Sequence, residues 1–176
     1  MINLVKNTIS NSEVDLLSDW LKTYPKLTKG EVTEKFEQAW SSWLGRRYSV
    51  FVNSGSSANL AMMYALQQSG RLRNNKVIAP CVSWTTTISP LIQLGMEPIL
   101  CDSSKDNLGL DINHLRKLCE EHKPACILLV HVLGVPNSMS EIEEICKDYE
   151  VILLEDSCES VGSTYKGKTT GTFGTM

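Results

Sequence analysis

The stretch Val151-Ile-Leu-Leu-Glu155-Asp156-Ser-Cys158-Glu159-Ser160 decides the fold class of this chain. Its first four residues are apolar, which is typical of a strand buried on both faces of a parallel sheet. Two carboxylates come next, at the strand end, where open α/β sheets bind their ligands. Asp156 is therefore a candidate ligand-binding residue. The stretch alone leaves open the alternative that Glu155 and Asp156 only solvate the strand end or form structural ion pairs.

The composition is that of a globular domain. The chain has 176 residues, enough for one domain with a sizeable core, and 42% of them are hydrophobic and 21% charged. The net charge of −3 argues against nucleic acid or an anionic membrane surface as a partner. No apolar run reaches the roughly 18 residues of a membrane-spanning helix, and the start MINLVKNTIS lacks a signal peptide's apolar core. We therefore expect a cytoplasmic protein without a membrane partner.

The cysteine spacing gives no sign of a metal site. None of the six cysteines forms a Cys-x-x-Cys pair, so a zinc site of the usual spacing is not expected, and no metal ligands are assigned. In this context the cysteines are expected to be small buried apolar residues that form no disulfides.

Strands and helices alternate along most of the chain. Two helices are predicted first, one capped by Ser10-x-x-Glu13 and ending before Pro25, the other capped by Thr28-x-x-Glu31 and ending at Gly45. The tryptophans of the second helix are expected to pack in the core or at an interface. Strands are then predicted at 48–52, 76–79, 97–101, 125–130 and 151–154, with helices at 57–68, 85–94, 111–121 and 138–148 and a hairpin at 165–168. This order predicts an α/β fold with three layers, α/β/α, around a largely parallel sheet.

Three strand ends carry groups that suit one kind of ligand. Gly55 and Ser56 lie between a strand and a helix, where exposed backbone N–H groups favour a phosphate, although a serine-capped helix with a glycine turn is a sufficient explanation. Trp84 comes after another strand and could stack on a planar ring or simply pack. His131 begins a third strand-end loop as a structural histidine or a ligand contact. Asp156, the helix start at Gly55 and Ser56, and the aromatic face of Trp84 together fit pyridoxal 5'-phosphate, PLP. A carboxylate would keep the ring nitrogen of PLP protonated.

The chain also resembles a known family. From about Leu27 to Met176 it is similar to the DegT-type family of PLP-dependent sugar aminotransferases and dehydratases, in the stretches LTKGEVTEKFEQAW, FVNSGSSANLAMMYAL, APCVSWTTTISPLIQLGMEPILCD and LLEDSCESVGSTYKGKTTGTFG. The resemblance implies the large-domain fold of fold-type I aminotransferases and a homodimer with active sites at the interface. It divides the chain into an N-terminal helical segment, 1–26, and the N-terminal part of a PLP-binding domain, 27–176, that ends before the domain is complete.

The resemblance gives roles to individual residues. It implies that Gly55 and Ser56 bind the phosphate, that Trp84 stacks on the pyridine ring and that Asp156 bonds the ring nitrogen. Glu159 matches the position beside the phenolic oxygen of the cofactor.

Two further points of the resemblance concern positions whose roles are open. His131 matches a histidine near the cofactor whose role is less defined. The Schiff-base lysine of the family, or the histidine that replaces it, is expected beyond Met176. Lys166 and Lys168 are not assigned that role, because both lie in the predicted hairpin.

The implied function is that of an enzyme acting on a nucleotide-linked 4-keto-6-deoxy sugar in polysaccharide or deoxysugar synthesis. Glu159, the Ser-Ser-Ala-Asn of the phosphate turn and Ser83-Trp84-Thr85-Thr86 resemble the 3-dehydratase branch, which removes a sugar hydroxyl. A sugar aminotransferase of the same family is the alternative. A second alternative is a truncated, non-catalytic α/β fragment that binds a phosphorylated small molecule. It would explain the serine turn but not Trp84 and Asp156 together.

Overall fold

Four parallel strands form the central sheet in a computed structural model that describes residues 8–176. The strands are β1 (Lys76–Pro80), β2 (Glu97–Cys101), β3 (Cys126–Val130) and β4 (Ile152–Asp156), in the order β2-β1-β3-β4. In the register, Leu129 pairs with Glu155 and Val130 with Asp156, so β3 and β4 end side by side. The first seven residues, which begin the predicted 1–26 segment, lie outside the described part.

Helices cover both faces of the sheet. The first pair is α1 (Asn11–Leu21) and α2 (Glu31–Leu44); the others are α3 (Gly55–Gln68), α4 (Thr85–Gln93), α5 (Ile112–His122) and α6 (Met139–Asp148). One core cluster joins α3 and α4 to the sheet, and the other joins α5 and α6 to the opposite face. The predicted three-layer α/β/α architecture is confirmed. Within residues 8–176, no helix is both long enough and apolar enough to cross a membrane.

Strand alternation decides which core each residue of β4 joins. Leu153 belongs to the cluster of α5 and α6, and Leu154 to the cluster of α3 and α4. Successive side chains of a strand point to opposite faces of its sheet. Glu155 therefore lies on the face covered by α5 and α6, and Asp156 on the face covered by α3 and α4.

The hairpin after β4 was predicted correctly. Its strands β5 (Thr164–Tyr165) and β6 (Lys168–Thr169) pair antiparallel, and the two turn residues Lys166 and Gly167 both have positive φ. Two positive φ angles are the signature of a type I′ turn, whose twist matches that of the flanking strands. The short helical turn Val132–Gly134 comes after β3.

The predicted strand at 48–52 is wrong. This stretch is not hydrogen-bonded to the sheet but lies along α2, where the Phe51 N–H donates to Glu37 and the Ser41 hydroxyl to Ser49. Apolar β-formers in a short run predict a strand only when a neighbouring strand is free to pair with them. Phe51 instead packs edge-on against Phe36, part of an aromatic cluster that continues through Trp40 to Trp43.

One predicted cap and part of the cysteine prediction are also wrong. Helix α2 begins at Glu31 after Gly30, so Thr28 lies too early in the chain to cap it, and the acidic first turn of α2 complements the helix dipole instead. Helix α6 begins after its N-cap Ser138, close to the predicted start, although the Ser138 hydroxyl faces Asn107 instead of the helix. The six thiols are free, as expected, but two that lie beyond strand ends, Cys81 and Cys158, are exposed.

The sheet core should dominate stability. Leu128 is fully buried at the centre of β3, between two neighbouring strands, whereas Leu16 on α1 is 71% exposed. We expect Leu128→Ala to lower the free energy of unfolding by about 2–5 kcal/mol, because it leaves a cavity in a packed core. Leu16→Ala is the control and should change it little. Urea denaturation of both variants tests this, and equal losses would contradict the layer arrangement.

Candidate functional site

The Asp156 carboxylate ends β4 and is held by groups from three elements. Its Oδ2 accepts a hydrogen bond from the Asn59 amide of α3 at 2.8 Å and a longer one from the Thr87 hydroxyl of α4 at 3.5 Å. Its Oδ1 accepts the Cys158 backbone N–H at 3.1 Å. Asp156 is only partly buried, so its carboxylate is fixed in position while part of it stays open to a ligand.

Glu155 points the other way and is enclosed by the protein. Its side chain is fully buried, and its carboxylate accepts hydrogen bonds from His131 Nε2 and from the backbone N–H groups of Gly171 and Gly174. Of the two explanations that the sequence left open for this pair of acids, Glu155 therefore fits the structural one.

The His131 imidazole is part of the same buried network. Its Nδ1 accepts the Asn137 backbone N–H at 3.2 Å, so the ring proton lies on Nε2 and is donated to Glu155 at 3.1 Å. The side chain is fully buried, and both ring nitrogens are occupied by protein groups. The structure therefore does not bring His131 together with Asp156 as an open ligand contact. Only its backbone N–H reaches that residue, at the Asp156 carbonyl oxygen.

The network sets the ionisation of Glu155. Burial opposes the charge, but the hydrogen bond from His131 and those from Gly174 and Gly171 together outweigh it and hold the pKa of Glu155 below its ordinary value of 4.5. A buried carboxylate with several donors is thus stable in its charged form, whereas without them it would be costly.

The N-terminus of α3 carries Gly55 and Ser56. Ser54 caps the helix by accepting the Ser57 N–H, which leaves the N–H groups of Gly55 and Ser56 at the positive end of the helix. Gly55 has no positive φ, and a Cβ added there would meet no atom within 4 Å. Of the alternative explanation, a serine-capped helix with a glycine turn, the serine cap is present, but Gly55 is the first residue of the helix and makes no left-handed turn. The protein itself leaves open the space that a side chain at this position would fill.

Trp84 lies where β1 leads into α4, as its N-cap residue, and is 79% exposed. So large an aromatic surface does not contribute to the core, which rules out the packing explanation for its side chain. Thr86 and Thr87, two and three residues further on, contact Asn59 and Asp156. The start of α4 therefore places Trp84 at the same edge of the sheet as Asp156.

Glu159 joins the loops after β3 and β4. Its carboxylate accepts the Leu133 N–H at 2.5 Å, and the Ser163 hydroxyl donates to the Gly134 carbonyl oxygen at 2.8 Å. Leu133 is held at φ +53°, a conformation that is uncommon for a residue with a side chain, and is 73% exposed. Glu159 thus shapes the loop after His131 while remaining exposed itself.

The two hairpin lysines lie on the far side of the sheet. Lys166 donates to Ser140 at 2.8 Å, and Lys168 pairs with Glu143 at 3.0 Å, both at α6. Since α6 covers the face opposite Asp156, neither ammonium group reaches the candidate site. This agrees with leaving both lysines without a catalytic role.

Two residues that shape the site are absent from the predictions made from the sequence. Asn59 is 6% exposed in the middle of an apolar helix, and Asn137 is fully buried and bonds His131 and the Leu110 N–H. A buried amide needs hydrogen-bond partners, so an Asn inside an apolar helical run was an available signal for the first. Asn137 lies in a loop and gave no periodic signal.

The residues present fit PLP. An anion suits the helix end at Gly55, a planar ring suits the exposed face of Trp84, and a protonated ring nitrogen suits the open side of Asp156. These groups lie at the C-terminal edge of a parallel sheet, where ligands of this class of fold bind.

The fold and the site define an aminotransferase-type α/β domain, and comparison with known proteins names the family. The chain belongs to the DegT/DnrJ/EryC1/StrS aminotransferase family, whose profile matches residues 7–176. This confirms the resemblance drawn from the sequence motifs.

Two similar proteins of known function are dehydratases. Over 152 residues, 85% of this chain and 39% of the relative, the chain is 41% identical to GDP-4-keto-6-deoxy-D-mannose 3-dehydratase of Escherichia coli O55:H7. It is 37% identical over 156 residues, 86% of this chain and 34% of the relative, to dTDP-4-dehydro-2,6-dideoxy-D-glucose 3-dehydratase of Saccharopolyspora spinosa. The solved E. coli GDP-4-keto-6-deoxy-D-mannose-3-dehydratase with bound hydrated PLP matches with a TM-score of 0.90 and 37% identity, over 99% of this chain and 46% of that one. The chain thus spans less than half the length of these relatives.

The Glu155 network predicts a pH dependence of stability. Because the pKa of Glu155 is lower in the folded protein than its ordinary value of 4.5, the carboxylate contributes fully above that pH. Its contribution is lost as the pH falls through the lowered pKa. Thermal unfolding is measured between neutral and acid pH. Glu155→Gln should unfold at a lower temperature than the wild type near neutrality, and its unfolding temperature should fall less on acidification. Glu97→Gln, at an exposed carboxyl, is the control; parallel pH profiles of Glu155→Gln and wild type would contradict the assignment.

Proposed function

We propose that the protein is a PLP-dependent enzyme that removes the C3 hydroxyl of a nucleotide-linked 4-keto-6-deoxy sugar. The observation that carries this is the Asp156 carboxylate, fixed by Asn59 and Thr87 beside the free N-terminus of α3. The dehydratase reaction is supported by the 41% identity to a GDP-4-keto-6-deoxy-D-mannose 3-dehydratase. The product would serve polysaccharide or deoxysugar synthesis.

Each site residue has a distinct task in this proposal. PLP, when bound, supplies a ring that takes up electrons as a bond of the substrate breaks. Asp156 holds a proton at the ring nitrogen, and the N–H groups at Gly55 and Ser56 bind the phosphate. Trp84 covers one face of the ring and keeps water from it. Glu159 bonds Leu133 and so sets the shape of the neighbouring loop. His131 acts indirectly, by holding Glu155 at the adjacent position of β4.

Amine transfer to the same kind of sugar is the second candidate. The family is an aminotransferase family, and among the described site residues only Glu159 and the motifs around Ser56 and Trp84 favour dehydration, by resemblance. To distinguish amine transfer from dehydration, the protein expressed from its complete gene is incubated with PLP, an amino acid and GDP-4-keto-6-deoxy-D-mannose. Mass spectrometry then gives the mass of the product. Loss of the C3 hydroxyl with the C4 keto oxygen retained supports the dehydratase. Exchange of the keto oxygen for an amine from an added amino acid supports the aminotransferase.

The partners and the location rest on the same proposal. A nucleotide sugar is the substrate, and a homodimer is the expected assembly. Helix α1 buries none of its residues and α2 only Ser41, so both helices present apolar side chains that a second subunit could cover. The cytoplasmic location and the division at residues 26 and 27 stay predictions.

Replacement of Asp156 tests the ring-nitrogen contact. Asp156→Asn keeps the shape of the side chain but removes the charge that holds the ring proton, so turnover should fall by orders of magnitude. Asp148→Asn, on α6 at the other face of the sheet, is the control and should retain wild-type turnover. Steady-state kinetics on the protein from its complete gene measure both, and wild-type turnover of Asp156→Asn would exclude the proposed contact.

Replacement of Trp84 tests the stacking contact. Trp84→Ala should weaken PLP binding by roughly 1–3 kcal/mol, since a stacked aromatic surface and its buried area are lost. Tyr24→Ala removes an aromatic ring that is 95% exposed on the N-terminal segment and should leave the affinity unchanged. Titration of the cofactor-free protein with PLP, followed by absorbance, gives both affinities. An unchanged affinity in Trp84→Ala would count against stacking.

A further inference from the structure

Asn59 is a buried polar residue of α3 whose side chain reaches Asp156. It lies inside α3, is 6% exposed, and precedes the apolar residues Leu60 to Met63. Burying an amide is unfavourable unless its hydrogen bonds are made. Its Nδ2 donates to Asp156 Oδ2 at 2.8 Å and lies 3.4 Å from the Thr86 carbonyl oxygen. Both amide hydrogens therefore point to the start of α4 and the end of β4.

The donors on Asp156 are unequally divided between its two oxygens. Oδ2 receives the donors from the two helices, Asn59 and Thr87, whereas Oδ1 receives the Cys158 backbone N–H. The Cys158 thiol is a further neighbour of the carboxylate, since burial and the contact with Asp156 raise the pKa of that thiol to about 12. Asn59 thus binds one oxygen of Asp156 and so helps to fix the direction of the other.

Asn59 also lies on α3, the helix whose first turn carries the proposed phosphate-binding residues Gly55 and Ser56. Gly55 and Asn59 are four residues apart, about 6 Å along the helix axis, and lie on the same side of α3. A helix is stiff over one turn, so the N-terminus of α3 and the amide of Asn59 keep a fixed separation. The 2.8 Å hydrogen bond from Asn59 then holds the Asp156 carboxylate at a fixed distance from the N-terminus of α3.

We propose that Asn59 is a positioning residue that fixes the Asp156 carboxylate relative to the N-terminus of α3. One helix then sets the distance between the groups that hold the two ends of the cofactor, the phosphate and the ring nitrogen. The inference rests on the proposed function for the identity of the ligand. The hydrogen bond from Asn59 to Asp156 is a property of the protein without it.

The chemistry of the side chain makes the role specific. Leucine has the branched shape of asparagine but no donor, so Asn59→Leu frees the Asp156 carboxylate to rotate while α3 stays packed. A matched control lies two turns further along α3, where the Gln67 amide donates to the Leu94 carbonyl oxygen at 3.0 Å. Gln67→Leu removes an amide contact between α3 and the C-terminal end of α4 without touching Asp156.

The test compares Asn59→Leu with Gln67→Leu in the protein expressed from its complete gene. PLP titrations give the affinity, and the absorbance of the bound cofactor against pH gives the point at which its ring nitrogen loses the proton. Asn59→Leu should weaken PLP binding roughly tenfold, the scale of one hydrogen bond to a charged group. It should also move the ring titration to lower pH. Gln67→Leu should change neither.

The outcomes that overturn the proposal are distinct. An unchanged ring titration in Asn59→Leu, or equal changes in both variants, shows that Asn59 only joins two helices. If Asn59→Leu does not fold, Thr87→Val removes the longer bond to the same oxygen and should move the titration in the same direction by less; no movement overturns the proposal.

Failure of the proposed function gives a different result. If the wild-type protein does not bind PLP, the cofactor assignment is wrong, and crystal structures of the ligand-free variants decide the inference. The Asp156 carboxylate should be rotated in Asn59→Leu and unmoved in Gln67→Leu. An unmoved carboxylate in both variants would overturn the positioning role by itself.

Discussion

The site depends on the alternation of side chains along β4, which sends two adjacent carboxylates to opposite faces of the sheet. Asp156 meets donors from α3 and α4 and keeps an open side, whereas Glu155 is enclosed on the face of α5 and α6. A shift of the strand by one residue would exchange these environments. The packing of Leu153 and Leu154 in the two cores fixes the register and so fixes which acid can meet a ligand.

The buried charge of Glu155 organises the edge of the sheet next to the site. Its carboxylate takes N–H groups from the turn at Gly171 and Gly174, and the Gly174 carbonyl oxygen accepts the Arg46 guanidinium at 2.9 Å. A Cβ at Gly174 would lie 2.7 Å from the Leu153 carbonyl oxygen, so only glycine permits this approach. Beyond it, Thr175 and Met176 bond the free edge of β4. The cost of burying the Glu155 charge is offset by these hydrogen bonds and by the one from His131, and the same bonds order the chain beside Asp156.

The site itself combines fixed and open groups. Asn59 and Thr87 fix the Asp156 carboxylate, and Glu159 fixes the loop at Leu133, while the surface of Trp84 and the space at Gly55 are left free. Groups held before a ligand arrives lose little entropy on binding it. The helices α1 and α2 are different, since their apolar side chains stay exposed and, in the proposal, a second subunit covers them.

The sequence determined the layers and the parallel sheet, because those rest on local periodicity. It also predicted Asp156, Trp84 and the start of α3 as ligand-binding groups, from the residue types at those positions and from the motif similarity. It also carried enough motif similarity to name the family. It could not show that Glu155 is enclosed by the protein or that both nitrogens of His131 are occupied within it. It also suggested a strand at 48–52 that finds no partner in the sheet. These points rest on contacts between residues far apart in the chain, such as Asn59 with Asp156 and Glu155 with Gly174, which no local pattern encodes. Only tertiary packing brings such pairs together, and it therefore decided which of two neighbouring acids is enclosed and which keeps an open side.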